Sequence, residues 1–254
     1  MLKIAIKSAV VFLIIYAIIC GLLYYFQRSL IYFPKAKALA TDSIELSSQG
    51  EKIQVTVKRN AGTQAVIYFG GNAEDVSGSL AALSAAFPDS ALYLMHYRGY
   101  GASSGRPSEA ALIADGAALF DLAATAHSKI TVIGRSLGSG VAVHIASIKP
   151  ATKLVLVTPY NSVQELAQAQ FPVLPVSLIL QDKFESWRYA RQINIPTLII
   201  AAQNDEVIPR ASTDALRNNF NVEIVKMAEL ANTGHNSIIG DAGYIRLLKN
   251  FAAQ

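Results

Sequence analysis

Residues 8–26 carry no charged side chain and are almost wholly apolar, from Val10 through Ile15 and on to Ile18, Ile19, Leu22 and Leu23. About nineteen residues at helical rise cover roughly 28 Å, close to the depth of a bilayer's hydrocarbon core. Beyond a short linker at 34–42 the pattern changes. Residues 43–48 and 52–58 alternate apolar and polar around Gln49-Gly50, which predicts a hairpin with Gly50 at positive φ. Six short apolar runs rich in β-branched residues follow, at 65–69, 91–95, 130–133, 154–157, 198–201 and 222–225. Most are succeeded by a loop signal and then a helical pattern: 81–87, 108–126 behind Pro107, 137–147, 212–218 and 242–253. Continuous apolar strands separated by helices predict an α/β fold, with a mostly parallel central sheet covered by helices on both faces.

Composition explains the first segment. Of 254 residues 52% are hydrophobic and only 16% charged, where a soluble domain carries about 25% charge. The excess lies in residues 1–26. A cleaved signal has an apolar stretch of about seven to fifteen residues followed closely by a small-x-small site. Here the run is longer, and Ala38-Leu39-Ala40 lies too far downstream. We therefore expect an uncleaved single-pass anchor over 1–33, a linker over 34–42 and one catalytic domain over 43–254. Tyr24, Tyr25, Tyr32 and Phe33 supply the aromatic residues that favour a membrane interface. The single Cys20 excludes an internal disulfide, and Ile19 before it does not suit a lipoprotein signal.

The net charge of +4 is modest. Residues 1–60 hold 8 Lys and Arg against 3 Asp and Glu, the remainder 14 against 15. The basic excess thus belongs to the membrane-proximal flank, where anionic headgroups are the expected partner. No nucleic-acid partner is expected. Lys3 and Lys7 are nearly matched by Arg28, Lys35 and Lys37 across the run; our expectation is a short inside N-terminus and a domain on the non-cytoplasmic side.

Gly-x-Ser-x-Gly occurs twice, centred on Ser103 and Ser136. A nucleophile elbow needs a strand entering a tight turn and a helix leaving it, so that the helix's first amides face the reacting oxygen. Residues 129–133 supply the strand, and a helix with a small-residue start follows Ser136. Ser103 instead follows the glycine-broken loop Arg98-Gly99-Tyr100-Gly101, and the next helix waits until Pro107-Ser108-Glu109. It is expected to be a turn residue.

A serine hydroxyl needs a base, and the base needs an acid to fix its tautomer. His96 and His127 precede Ser136, and His144 lies along the helix leaving the elbow. His235, in the polar loop Asn232-Thr233-Gly234-His235-Asn236, is the expected base. Asp205, in the loop after the run 198–201, is the expected acid; Glu206 and Asp182 are its competitors. The tetrahedral oxyanion needs two fixed amide donors. Leu137 N–H follows the nucleophile, and Asn72 N–H lies in the glycine-rich loop Gly70-Gly71-Asn72-Ala73, with Ala73 the neighbouring alternative.

Together these residues resemble the α/β-hydrolase superfamily, and more narrowly its membrane-anchored α/β-hydrolase domain-containing proteins of the type 13 and type 17 kinds and their bacterial relatives. The marks are Gly71-Asn72-Ala73, Tyr97-Arg98-Gly99-Tyr100-Gly101, Ser104-Gly105-Arg106-Pro107-Ser108, Gly134-Arg135-Ser136-Leu137-Gly138, Asp182-Lys183-Phe184, Asn204-Asp205-Glu206-Val207-Ile208-Pro209 and Gly234-His235-Asn236, across residues 50–252. The resemblance implies an α/β-hydrolase fold with a small cap, cleavage of esters or thioesters, a triad of Ser136, Asp205 and His235, and an oxyanion hole at Asn72 and Leu137. Two departures stand out. The family commonly has histidine where this chain has Gly70, and the type 17 depalmitoylases carry an N-terminal cysteine cluster that is missing here, so depalmitoylation is not carried over.

Residues 161–189 would form the cap. Within them Phe171 to Leu180 is apolar and broken by prolines; it suits packing on the core, lining an acyl pocket or facing a bilayer equally. Asp182 and Arg188 are expected to anchor the cap, and Arg135 to be structural or paired with an acid. The expected activity is a membrane-anchored serine hydrolase of acyl esters or lipid-like substrates, needing no cofactor and no metal. The alternatives are a peptidase of the prolyl-aminopeptidase-like type and a non-catalytic membrane scaffold. Aminoacyl amide substrates and fluorophosphonate labelling separate the three.

Overall fold

The computed structural model describes residues 2–254. It opens with α1 (Leu2–Ile31), an unbroken helix of 30 residues that is long and apolar enough to cross a membrane. Along it only Gln27 is buried.

The hairpin follows as β1 (Ser43–Ser48) and β2 (Glu51–Lys58). Gln49 and Gly50 both take positive φ, 49° and 83°. That is the two-residue turn whose twist matches the strands, and the glutamine accepts a conformation expected only of Gly50. Then come β3 (Gln64–Phe69), α2 (Leu80–Ala86), β4 (Ala91–Met95), α3 (Glu109–Ala124), β5 (Lys129–Arg135), α4 (Leu137–Ile148) and β6 (Lys153–Val157). The segment 161–189 folds as three short helices, α5 (Val163–Gln170), α6 (Val176–Ile179) and α7 (Ser186–Ala190). The chain ends through β7 (Thr197–Ala202), α8 (Arg210–Arg217), β8 (Val225–Leu230) and α9 (Ala242–Ala252).

The eight strands form one sheet in the order β1-β2-β4-β3-β5-β6-β7-β8. The pairs β1/β2 and β2/β4 are antiparallel, and every other pair is parallel. Because side chains alternate across a strand, the continuous apolar runs feed two cores. Ile67, Phe69, Val132, Leu154 and Ile199 pack with Leu112, Val141 and Leu216 on one face. Val66, Tyr68, Ile133, Val155 and Ile200 pack with Leu83, Leu248 and Phe251 on the other. This is the α/β-hydrolase fold.

One strand differs from expectation. Residues 222–225 were expected as the last strand, whereas β8 begins at Val225, paired with Thr197. Val222 is exposed, inside a turn in which Ile224 N donates to Asn221 O. As an edge strand β8 has a neighbour on one side only; Val225 and Met227 reach one core and Ala228 and Leu230 the other, but Lys226 and Glu229 are exposed and break any continuous apolar run.

The sheet's order reverses at β3: the chain moves from β3 to β4 on one side, then crosses to β5 on the other. Ligands of open α/β sheets bind at such a switch point, outside the carboxyl ends of the strands. Here the loops after β3 and β5 lie side by side.

Candidate active site

The turn between β5 and α4 is a single residue. Ser136 holds φ 48° and ψ −119°, a conformation that a side-chain-bearing residue adopts only when its surroundings impose it. The close approach of β5, α4 and β3 imposes it. A Cβ on Gly134 would run into the Gly138 carbonyl, and one on Gly138 into the carbonyls of Phe69 and Gly70. Glycine at both positions lets the helix start directly beneath the serine. Ser136 remains partly accessible.

The Ser136 Oγ lies 2.8 Å from His235 Nε2, and His235 Nδ1 lies 2.9 and 3.0 Å from the two oxygens of Asp205. Asp205 is held from behind, since its Oδ1 accepts from Val207 N at 2.9 Å and Ile208 N at 2.7 Å. Burial opposes ionisation of this carboxyl, but the imidazole and the two amides outweigh it and keep its pKa below the usual range. Glu206, the neighbouring candidate, turns the other way and accepts the His235 main-chain N–H at 2.9 Å. The Asp and His loops are joined where Asn204 N donates to Thr233 O at 2.9 Å.

Leu137 N–H heads α4, and its carbonyl accepts from Tyr160 Oη at 3.0 Å. In the loop after β3, Ala73 N–H is taken by Asn72 Oδ1 at 3.0 Å. Among the described residues neither Asn72 N–H nor Leu137 N–H donates within the protein, so both remain available to a ligand oxygen. The Asn72 side chain is itself fixed: Oδ1 accepts from Tyr100 Oη at 2.7 Å and Phe33 N at 3.0 Å, and Nδ2 donates to Ile31 O. At Gly70 a Cβ would meet Val76 and Glu74, and the Gly70 carbonyl accepts from Tyr97 Oη at 2.7 Å. A side chain at this position would have to displace Val76.

Arg135 is the residue whose reach the sequence did not disclose. Its Nη1 donates to Glu74 Oε2 at 2.8 Å, and its Nη2 to His235 O at 3.3 Å and Asn236 Oδ1 at 2.8 Å. Glu74 Oε2 also accepts Gly71 N–H at 2.6 Å. One nearly buried ion pair thus ties together the elbow, the glycine-rich loop and the histidine loop. The glutamate four residues past Gly70 was visible in the sequence, but only the switch-point geometry brings it to Arg135.

The other candidates fall elsewhere. Ser103 is buried in a turn, donating to His96 O at 2.8 Å and accepting from Gln54 N at 2.9 Å. The His96 ring meets Thr56, the His127 ring meets Gly62 O and Tyr93, and His144 stacks on Tyr189. Asp182 joins the cap to α1, accepting from Arg28 Nε at 3.0 Å and Tyr32 Oη at 3.1 Å. Arg188 pairs with Glu185 and lies over Trp187.

A strained serine between strand and helix, a histidine against it and a carboxylate behind the ring define the class of serine hydrolases built on the α/β-hydrolase fold. The serine hydrolase family matches residues 116–250, and the chain belongs to that family within the α/β-hydrolase superfamily. It is 33% identical over 211 residues to an uncharacterized protein of Mycobacterium tuberculosis, covering 75% of this chain and 74% of that one. Protein bem46 of Schizosaccharomyces pombe is 23% identical over 264 residues, covering 92% and 88%. Among solved structures, Est1E from Butyrivibrio proteoclasticus with ferulic acid bound superposes with a TM-score of 0.70 at 15% identity, over 83% of this chain and 98% of that chain.

Proposed function

We propose that the protein is a membrane-anchored hydrolase of carboxylic esters or thioesters, acting through Ser136, His235 and Asp205. The observation that carries this reading is the continuous relay from Ser136 Oγ to His235 Nε2 at 2.8 Å and from His235 Nδ1 to Asp205 at 2.9 Å. Ser136 Oγ forms a bond to the acyl carbon as its proton passes to His235 Nε2. The carbonyl oxygen becomes an oxyanion held by the N–H groups of Asn72 and Leu137. As the oxyanion collapses, the bond to the leaving alcohol or thiol breaks, and that group takes the proton from His235. A water then gives a proton to His235 and attacks the acyl carbon. The acid departs, and Ser136 recovers its proton. Asp205 stays ionised throughout, orienting the ring and supporting the imidazolium.

The ferulic acid in Est1E, a carboxylic acid in a protein of the same fold, is consistent with acyl chemistry. The exposed apolar surface of α1 supports the anchor. Release of p-nitrophenol from p-nitrophenyl butyrate by the full chain, together with fluorophosphonate labelling, tests the reading. Both are expected in the wild type and absent in Ser136→Ala; undiminished hydrolysis by Ser136→Ala overturns it. Protease accessibility in intact and opened cells tests the expected non-cytoplasmic placement of the domain.

A further inference from the structure

The anchor does not end before the hydrolase domain begins. The last turns of α1 lie against the cap, and between them is an apolar cavity of about 240 Å³, walled by Leu23, Leu30 and Ile31 from the helix and by Phe171, Leu174 and Ile179 from the cap. Gln27 is its one polar side chain, and it is fully engaged: Nε2 donates to Tyr24 O at 2.8 Å and Ile179 O at 2.9 Å, and Oε1 accepts from Gln181 N at 2.6 Å. The cavity therefore has no free polar side chain with which to orient a polar ligand. Its volume lies below the ~300 Å³ typical of the smallest drug-sized sites, which suits a single slender apolar chain.

Two contacts locate the cavity between the oxyanion loop and the membrane-side end of the cap. At one end the main-chain carbonyl of Ile31, a wall residue, accepts from Asn72 Nδ2, which ties that wall to the loop offering the oxyanion donor. At the other end the cap tip runs back along α1, and Val173 O accepts from Tyr16 Oη at 2.8 Å. Tyr16 lies in the middle of the uncharged stretch 8–26. Val173 and Leu178, 79% and 81% exposed, point away from the protein at that level. With α1 in a bilayer, these side chains meet hydrocarbon, and the cavity mouth opens among lipid tails rather than into water.

We propose that this cavity is the acyl-chain site of the hydrolase: it takes one acyl chain of a bilayer lipid laterally from the membrane and delivers its ester carbonyl to Ser136. The inference rests on the hydrolase reading above and names its substrate class. The cap's apolar, proline-broken tip is then both a membrane-inserted element and one wall of the substrate path.

The test uses the full chain in phosphatidylcholine–phosphatidylglycerol vesicles, with p-nitrophenyl butyrate and p-nitrophenyl laurate as short and long acyl esters. Ile179→Trp fills the cavity. It is expected to lower the ratio of laurate to butyrate hydrolysis about 10-fold or more, the scale on which an apolar pocket discriminates chain length. Leu23→Phe, from the opposite wall, is expected to act in the same direction, and fluorophosphonate labelling reports whether each variant is folded. An unchanged laurate-to-butyrate ratio in folded variants overturns the acyl site and leaves the hydrolase reading standing. A wild type inactive on both esters overturns that reading instead. Independently of catalysis, Val173→Trp in a Trp187→Phe background should be quenched by lipids brominated on the acyl chain; unquenched fluorescence removes the membrane-facing mouth and the proposal with it.

Discussion

Two stretches of this chain spell Gly-x-Ser-x-Gly, and they serve opposite ends. Ser136 sits at the end of a central strand with its hydroxyl turned toward a histidine, in a strained backbone and partly accessible. Ser103 sits in a loop crossing the antiparallel side of the sheet, buried, with both hydrogen-bonding capacities spent on main chain. In the first, glycine permits backbones to approach until only a helix N-terminus and a serine fit. In the second, glycine lets a loop turn through positive φ. Three letters of five are the same; the strand and helix around them decide whether the serine is a reagent or a rivet.

Exchanging the serines should expose this difference most strongly. Ser136→Ala is expected to lower kcat/KM about 10⁴-fold or more with little change in melting temperature, because the loss falls on the transition state. Ser103→Ala should do the reverse. It strands the main-chain groups of Gln54 and His96, so about 2 kcal/mol of stability and roughly 5 °C in Tm should be lost while turnover per folded molecule persists. Differential scanning calorimetry beside ester kinetics reads both.

The glycines offer a second contrast. Gly138→Ala drives a methyl into two main-chain carbonyls, whereas Gly101→Ala meets the ends of the Gln54 and His96 side chains at a φ of 59°. The first should cost about 3 kcal/mol or more and abolish fluorophosphonate labelling; the second should cost less and leave labelling intact. Arg135→Met tests the elbow's surroundings. It leaves Glu74 buried without its cation, which is expected to cost about 3–5 kcal/mol and to lower kcat more than it raises KM, as three loops lose their common tie.

The effect confined to a pH window belongs to His96, whose carbonyl accepts from the Ser103 hydroxyl. Burial pushes the His96 ring down to about 4, with Asp75 opposing the shift and Lys37 reinforcing it. The unfolded chain takes up this proton near 6.5 and the folded chain only near 4. The neutral ring's stabilisation is therefore complete above pH 6.5 and is lost as pH falls toward 4, by about 3 kcal/mol. His96→Gln should flatten the Tm–pH curve in that window, and an unchanged slope would mean that other groups carry it.

Periodicity disclosed most of the architecture because the central strands are buried on both faces and read as unbroken apolar runs. It missed β8 for the converse reason: an edge strand exposes Lys226 and Glu229, and the apolar letters of Val222 to Val225 lie partly in a turn. The positions of Ser136, Asp205 and His235 were legible because each follows a strand in the order the fold requires, and the structure brings the three together. The span of Arg135 was not. The Arg135 Nη groups bond to whatever loops converge on them, here those of Glu74 and of His235 and Asn236, and that convergence depends on the crossover from β4 to β5. The clamp of Asp182 on Arg28 and Tyr32 was hidden likewise, since 150 or more residues separate the partners.

That clamp makes the join between α1 and the hydrolase domain stiff. The helix is about 45 Å long, whereas the hydrocarbon core of a bilayer is about 30 Å thick, and such an excess is relieved by tilting. A flexible tether would absorb the tilt. Here Gln27, Arg28 and Tyr32 are bonded into the cap, so rotation of the helix carries the domain with it. In a spanning orientation, bilayer thickness becomes a mechanical variable that sets the height and lean of Ser136 above the lipid, and turnover in thin and thick vesicles becomes a readout of hydrophobic mismatch.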